Sequence, residues 1–121
     1  MGHVFGKLLR KKRTEAGRTM GQLARHLGVT VPYISAVEHG EKKPLTHDRI
    51  IQTAAYLEID AQLLFAAAAQ DGRAFELVGR TPIEREVGAA LARSWTDLSE
   101  DQLRRIQGVV SGGGEVSEDD E

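Results

Sequence analysis

Residues 19–40 read TMGQLARHLGVTVPYISAVEHG, and the order of residue types in this stretch decides the fold. Thr19 can N-cap a helix, and Gln22, three residues on, completes a capping box. Leu23, Ala24 and Leu27 then fall on one face at helical spacing. Ala24 is small where a second helix must come close. Gly28 stands where the first helix stops and a left-handed backbone is needed. Val29 is apolar just past that turn. Thr30 can cap a second helix, and Pro32 sits in its first turn, where no backbone N–H is required. Ile34 and Val37 point inward, Tyr33, Ser35, Ala36 and His39 lie on or near the outer side, and Gly40 ends the helix. The stretch predicts two short helices joined by a tight turn.

These residues carry a resemblance. Leu23-Ala24, Leu27-Gly28-Val29-Thr30, Tyr33-Ile34-Ser35 and Glu38-His39-Gly40 resemble the helix-turn-helix of the lambda-repressor and Cro-like, or Xre-type, regulators. The likeness runs from Phe5 to about Ala66. A plain αα-hairpin in a helical bundle is the alternative, but it does not require this set of small residues at this spacing. The resemblance implies an all-α fold with a compact five-helix DNA-binding domain. It also implies that Arg13, near the end of the first helix, pairs with Glu38 and ties the second helix of the motif to the scaffold.

Composition first argues against a nucleic-acid partner, since the 121 residues carry a net charge of −2. The distribution reverses that reading. Residues 1–65 hold ten Lys and Arg against six acids, and residues 66–121 hold six against twelve. The basic half is the half with the motif. No cysteine is present, so disulfides and thiolate metal sites are excluded. The longest apolar run, Leu63 to Ala69, is far too short to span a membrane. Met1 to Arg13 is basic without a following apolar segment, which does not read as a secretory signal. A cytoplasmic, nucleoid-associated protein is expected.

Outward from the motif, His3 to about Ala16 reads as the first helix, with Val4, Phe5, Leu8 and Leu9 apolar and Gly17 as its stop. Beyond it, Thr46 or Asp48 can cap a fourth helix with Ile50, Ile51, Ala54 and Leu57 inward. Asp60 can cap a fifth through Leu63, Leu64 and about Ala68, and the pairs Tyr56-Leu57 and Leu63-Leu64 close the core. Gln70 to Arg80 breaks the pattern, with Phe75, Leu77 and Val78 as a short extended piece. Thr81-Pro82-Ile83-Glu84 opens a sixth helix whose stripe is Ile83, Val87, Ala90, Leu91 and Trp95. Ser99 and Gln102 open a seventh with Leu103, Ile106 and Val110, and Leu98 is placed to staple Leu103. Residues 112–121, three glycines and then an acidic run, are expected to be disordered. The domains expected are a DNA-binding unit over 1–69, a helical extension over 70–111 and the tail over 112–121.

A helix-turn-helix works by laying its second helix in the major groove. By position the candidate base readers are Val31, Pro32, Tyr33, Ser35, Ala36 and His39. Arg, Gln and Asn are missing from the start of this helix, so the strongest bidentate base contacts are not offered. Val31, Pro32 and Ala36 suit thymine methyl groups, and Ser35 suits a base or a phosphate. Arg10, Thr19, Gln22, Thr30, Lys42 and Lys43 are the candidate backbone contacts. Met20 stands where many family members carry a phosphate-holding Gln. His3, His26, His39 and His47 are scattered without metal-ligand spacing, and no catalytic constellation, metal or cofactor is expected.

Two functions fit. One is a transcriptional repressor that binds double-stranded DNA as a homodimer. The other is an antitoxin or interaction module paired with a toxin or a metallopeptidase, with autoregulatory DNA binding. The extension decides between them: Ile83, Val87, Leu91, Trp95, Leu103 and Ile106 are the candidate dimer or partner contacts. The acidic tail is either a solubilising end or a competitor with DNA for the basic face.

Overall fold

The computed structural model describes residues 3–74 and 77–112. They fall into two compact units that divide between residues 75 and 76. The first holds α1 (Val4–Glu15), α2 (Met20–Leu27), α3 (Val31–Glu38), α4 (His47–Leu57) and α5 (Ala61–Gln70). The second holds α6 (Pro82–Ser94), a 3-10 turn (Trp95–Asp97) and α7 (Glu100–Val110). The expected all-α architecture, five helices and then a helical extension, is the observed one. Of the expected tail over 112–121, all but Gly112 lies outside the described residues, as does Phe75 of the expected extended piece. Leu77 and Val78 form no strand and are exposed.

Local signals set the helix ends in the first unit. The Thr19 hydroxyl accepts from the Gln22 N–H, and the Gln22 side chain accepts from the Thr19 N–H at 2.8 Å. Gly28 takes φ +72°, and the Val29 N–H donates back to the Ala24 carbonyl, closing α2. The Thr30 hydroxyl accepts from Tyr33 N–H at the start of α3. Asp60 caps α5 through the Gln62 N–H. Thr46 occupies the cap of α4 but makes no side-chain bond there, and Asp48 lies in that helix's first turn. The first helix is capped from far away. Its N-cap residue, His3, makes no side-chain bond. Instead the Asp71 carboxylate, past the end of α5, accepts from the N–H groups of Val4 at 3.0 Å and Phe5 at 2.9 Å. Two orphan donors are satisfied, and a negative charge sits on the positive end of the helix dipole.

α1 packs on α3 and α5, α2 on α3 and α4, and α4 on α5. Phe5, Leu9, Leu23, Ile34, Leu45, Ile50 and Leu64 are fully buried between them, with Leu27, Val37, Leu57 and several alanines around them. Two adjacent-pair assignments made from periodicity are corrected. Ile51 and Leu63 are both 45% exposed, because Ile50 and Leu64 already take the core direction and neighbouring residues point about 100° away. The buried side of α4 also includes Thr53, whose hydroxyl has no hydrogen-bond partner among the described residues. Val4, expected inward, is exposed at the first turn of α1.

In the second unit, complete capping boxes start α6 at Thr81 and Glu84 and α7 at Ser99 and Gln102. Trp95 lies in the 3-10 turn rather than at the end of α6 and is exposed. Nothing in α6, the turn or α7 is buried. No helix among the described residues is long and apolar enough to cross a membrane.

Candidate nucleic-acid interface

α3 divides its residues sharply. Ile34, Val37 and Glu38 are buried, while Val31, Pro32 and His39 are exposed and Tyr33, Ser35 and Ala36 are half-buried. The six candidate base readers therefore share the outward side of one short helix. Ser35 and His39 are joined there. His39 Nδ1 lies 2.8 Å from the Ser35 carbonyl oxygen and 3.4 Å from its hydroxyl. A carbonyl only accepts, so Nδ1 carries the proton in this geometry. Nε2 is then the ring nitrogen left for a base edge.

The inward side is fixed by a buried ion pair. Arg13 and Glu38 are 6% and 4% exposed. Arg13 Nε donates to Glu38 Oε2 at 2.6 Å, and its Nη2 donates to Oε1 at 3.0 Å, a two-pronged charge-assisted arrangement. The remaining prong, Nη1, donates to the Arg18 carbonyl at 2.8 Å. One guanidinium thus holds α1, the α1–α2 turn and the end of α3. Contact between α1 and α3 is so close that a Cβ at Gly6 would lie 2.5 Å from the carbonyl oxygens of Val37 and Glu38.

Of the candidate backbone contacts, Thr19, Gln22 and Thr30 stand at the N-termini of α2 and α3, where free N–H groups favour an anion. Gln22 spends its carbonyl on the capping box, and its amide nitrogen makes no hydrogen bond among the described residues. Lys42 and Lys43 are exposed in the loop after Gly40. Arg10 is exposed on α1, and no bond among the described residues ties it to α2 or α3. Two cations escaped the sequence reading. The Arg49 guanidinium, from α4, lies 5.6 Å from the centre of the Tyr33 ring, which places a positive charge beside the outward side of α3. Arg18 lies 4.6 Å from the ring centre of Tyr56, and His26 stacks on the same ring at 4.2 Å. No spacing rule pairs an α3 tyrosine with an α4 arginine sixteen positions later; the only signal was the surplus of basic residues in this half.

Residues 9–64 match a family model described as helix-turn-helix. Two curated relatives, each named an uncharacterized HTH-type transcriptional regulator, come from Mycobacterium tuberculosis strains CDC 1551 / Oshkosh and H37Rv. Each is 40% identical over 63 residues, which is 52% of this chain and 44% of the relative. The chain therefore spans less than half the length of these relatives.

Proposed function

We propose that residues 9–64, which match a helix-turn-helix family model, form an Xre-like DNA-binding domain, and that the protein is a cytoplasmic, sequence-specific repressor. It binds an inverted-repeat operator as a homodimer. The observation that carries this reading is the split of α3, whose inner side is clamped by Arg13 while its outer side is left for ligand. A helix held this firmly is pre-organised, so little ordering opposes binding. Val31, Pro32 and Ala36 supply apolar contacts, Ser35 and His39 polar ones, and Arg49, Lys42 and Lys43 neutralise phosphates. The relatives' printed names support the same class of activity.

Selection of the full chain from a random duplex pool tests the reading. It should enrich an inverted repeat with half-site centres about 34–36 Å apart. Binding should weaken along a straight line in the logarithm of salt concentration, because phosphate neutralisation releases counterions. A pool with no enriched motif refutes it. The exposed stripes of α6 and α7 support a second reading, in which the extension holds a toxin or a metallopeptidase. A chain that is monomeric and selects no motif would favour that one.

A further inference from the structure

The extension holds helices that its own unit does not cover. α6 and α7 run for 13 and 11 residues, and neither contains a buried residue. Isolated helices of that length are marginal in water; apolar packing, more than caps, stabilises such helices. Yet Ile83 is 63% and Val87 49% exposed. Along α6, Ile83, Val87, Ala90 and Ser94 recur at spacings of four, three and four, which is a seam of about three turns with its large residues at the N-terminal end and its small ones at the C-terminal end.

The charges on α6 say what fits that seam. Glu84 is used in the capping box, accepting from the Arg80 and Thr81 N–H groups. Arg85 donates to the Gly79 carbonyl. On α7, Glu100 pairs with Arg104 and Asp101 with Arg105. Glu86 and Arg93 are left without an ion pair or hydrogen bond among the described residues. They stand seven positions apart, at the same place in successive heptads, and each directly precedes a seam residue. When a helix of this kind meets a copy of itself running the opposite way, equivalent flanking positions face each other across the seam. Glu86 then meets Arg93 of the second copy, twice by symmetry. In the same register Ile83 faces Ser94 and Val87 faces Ala90, so large residues meet small ones at both layers.

We propose that α6 is the dimerisation helix and that its occupant is α6 of a second copy, packed antiparallel in this register. The proposal rests on the reading of the protein as a paired regulator and names the surface that pairs it.

The chain has no cysteine, so introduced ones report without background. Ile83→Cys and Ser94→Cys proteins, separately tagged and mixed under mild oxidation without DNA, should give a mixed disulfide in high yield. Ile83→Cys alone should give almost none, since its two copies lie about 16 Å apart along the axis, beyond the ~7 Å reach of a disulfide. Val87→Glu in the full chain should halve the mass seen by light scattering, while circular dichroism still shows the cooperative unfolding of the α1–α5 unit. Self-crosslinking of Ile83→Cys as fast as the mixture would overturn the antiparallel register. A monomeric native chain, or a Val87→Glu protein that stays dimeric, would overturn the interface. A protein that fails these tests but still selects an inverted repeat leaves the regulator reading standing and removes only this one.

Discussion

Gly6→Ala should destabilise the protein, although alanine is the better helix former. A Cβ at Gly6 would lie 2.5 Å from two backbone carbonyl oxygens of α3 and 2.8 Å from the Glu38 carbonyl carbon. Ordinary contact begins near 3.4 Å, so α1 and α3 must part by about 0.9 Å. Neither neighbour is a flexible side chain that can turn away. The same displacement stretches the bonds from Arg13 to Glu38, now 2.6 and 3.0 Å. Overpacking of this kind costs about 1–3 kcal/mol, against a gain of at most ~1 kcal/mol from replacing glycine in a helix. A net loss of about 1–2 kcal/mol lowers Tm by roughly 5–15 °C in a domain of this size. Gly21, in α2, is the control: a Cβ there meets nothing nearer than the Thr19 hydroxyl at 3.8 Å. Gly21→Ala should therefore raise stability by about 0.5–1 kcal/mol. Thermal and urea unfolding of both variants, followed by far-ultraviolet circular dichroism, compares the signs. If both midpoints move upward, α1 does not seat α3 as described and the reasoning fails.

Arg13→Ala and Glu38→Ala should each cost about 3–5 kcal/mol in urea unfolding, because either change strands a buried charge; the double variant should cost less than the sum. Asp71→Ala should cost about 1–2 kcal/mol as the first helix loses its cap, and hydrogen exchange at the Val4 and Phe5 amides should quicken while α3 amides stay slow. Thr53→Val keeps the shape and removes a hydroxyl without a partner among the described residues, so stability in urea unfolding should hold or rise, by up to about 1 kcal/mol. A clear fall would reveal a bond at that hydroxyl.

The helix-turn-helix was legible because its signals are local. Thr19 with Gln22, Gly28, and Thr30 with Pro32 each act within one turn of chain, and the structure uses all of them. Ile51 and Leu63 were misplaced because adjacent apolar residues satisfy a helical period from either side, and only packing chooses between them. Asp71 lies where the helical pattern breaks; its partners, Val4 and Phe5, are 67 and 66 positions away, beyond any spacing rule. Arg49 was missed for the same reason, since its place beside Tyr33 depends on how α4 crosses α3. Gly6 has no distinguishing neighbour in the sequence, and its necessity comes from a contact between backbones. In the extension the stripes of α6 and α7 were readable, but burial was not: no residue of either helix is buried.

The residues that hold α3 and the residues it presents are different residues. Arg13, Glu38, Ile34, Val37 and Gly6 fasten it from within, while Val31, Pro32 and His39 are exposed and carry little of the fold. Substitutions on the outer side fall in the class that usually changes stability by less than about 0.5 kcal/mol. If α3 reads DNA as proposed, a lineage carrying this scaffold can drift from one operator to another by single steps, each leaving a folded protein behind it. The frame, by contrast, tolerates almost no single step: Arg13 and Glu38 would have to change together. Recognition in this architecture is free to diversify because the mounting is not.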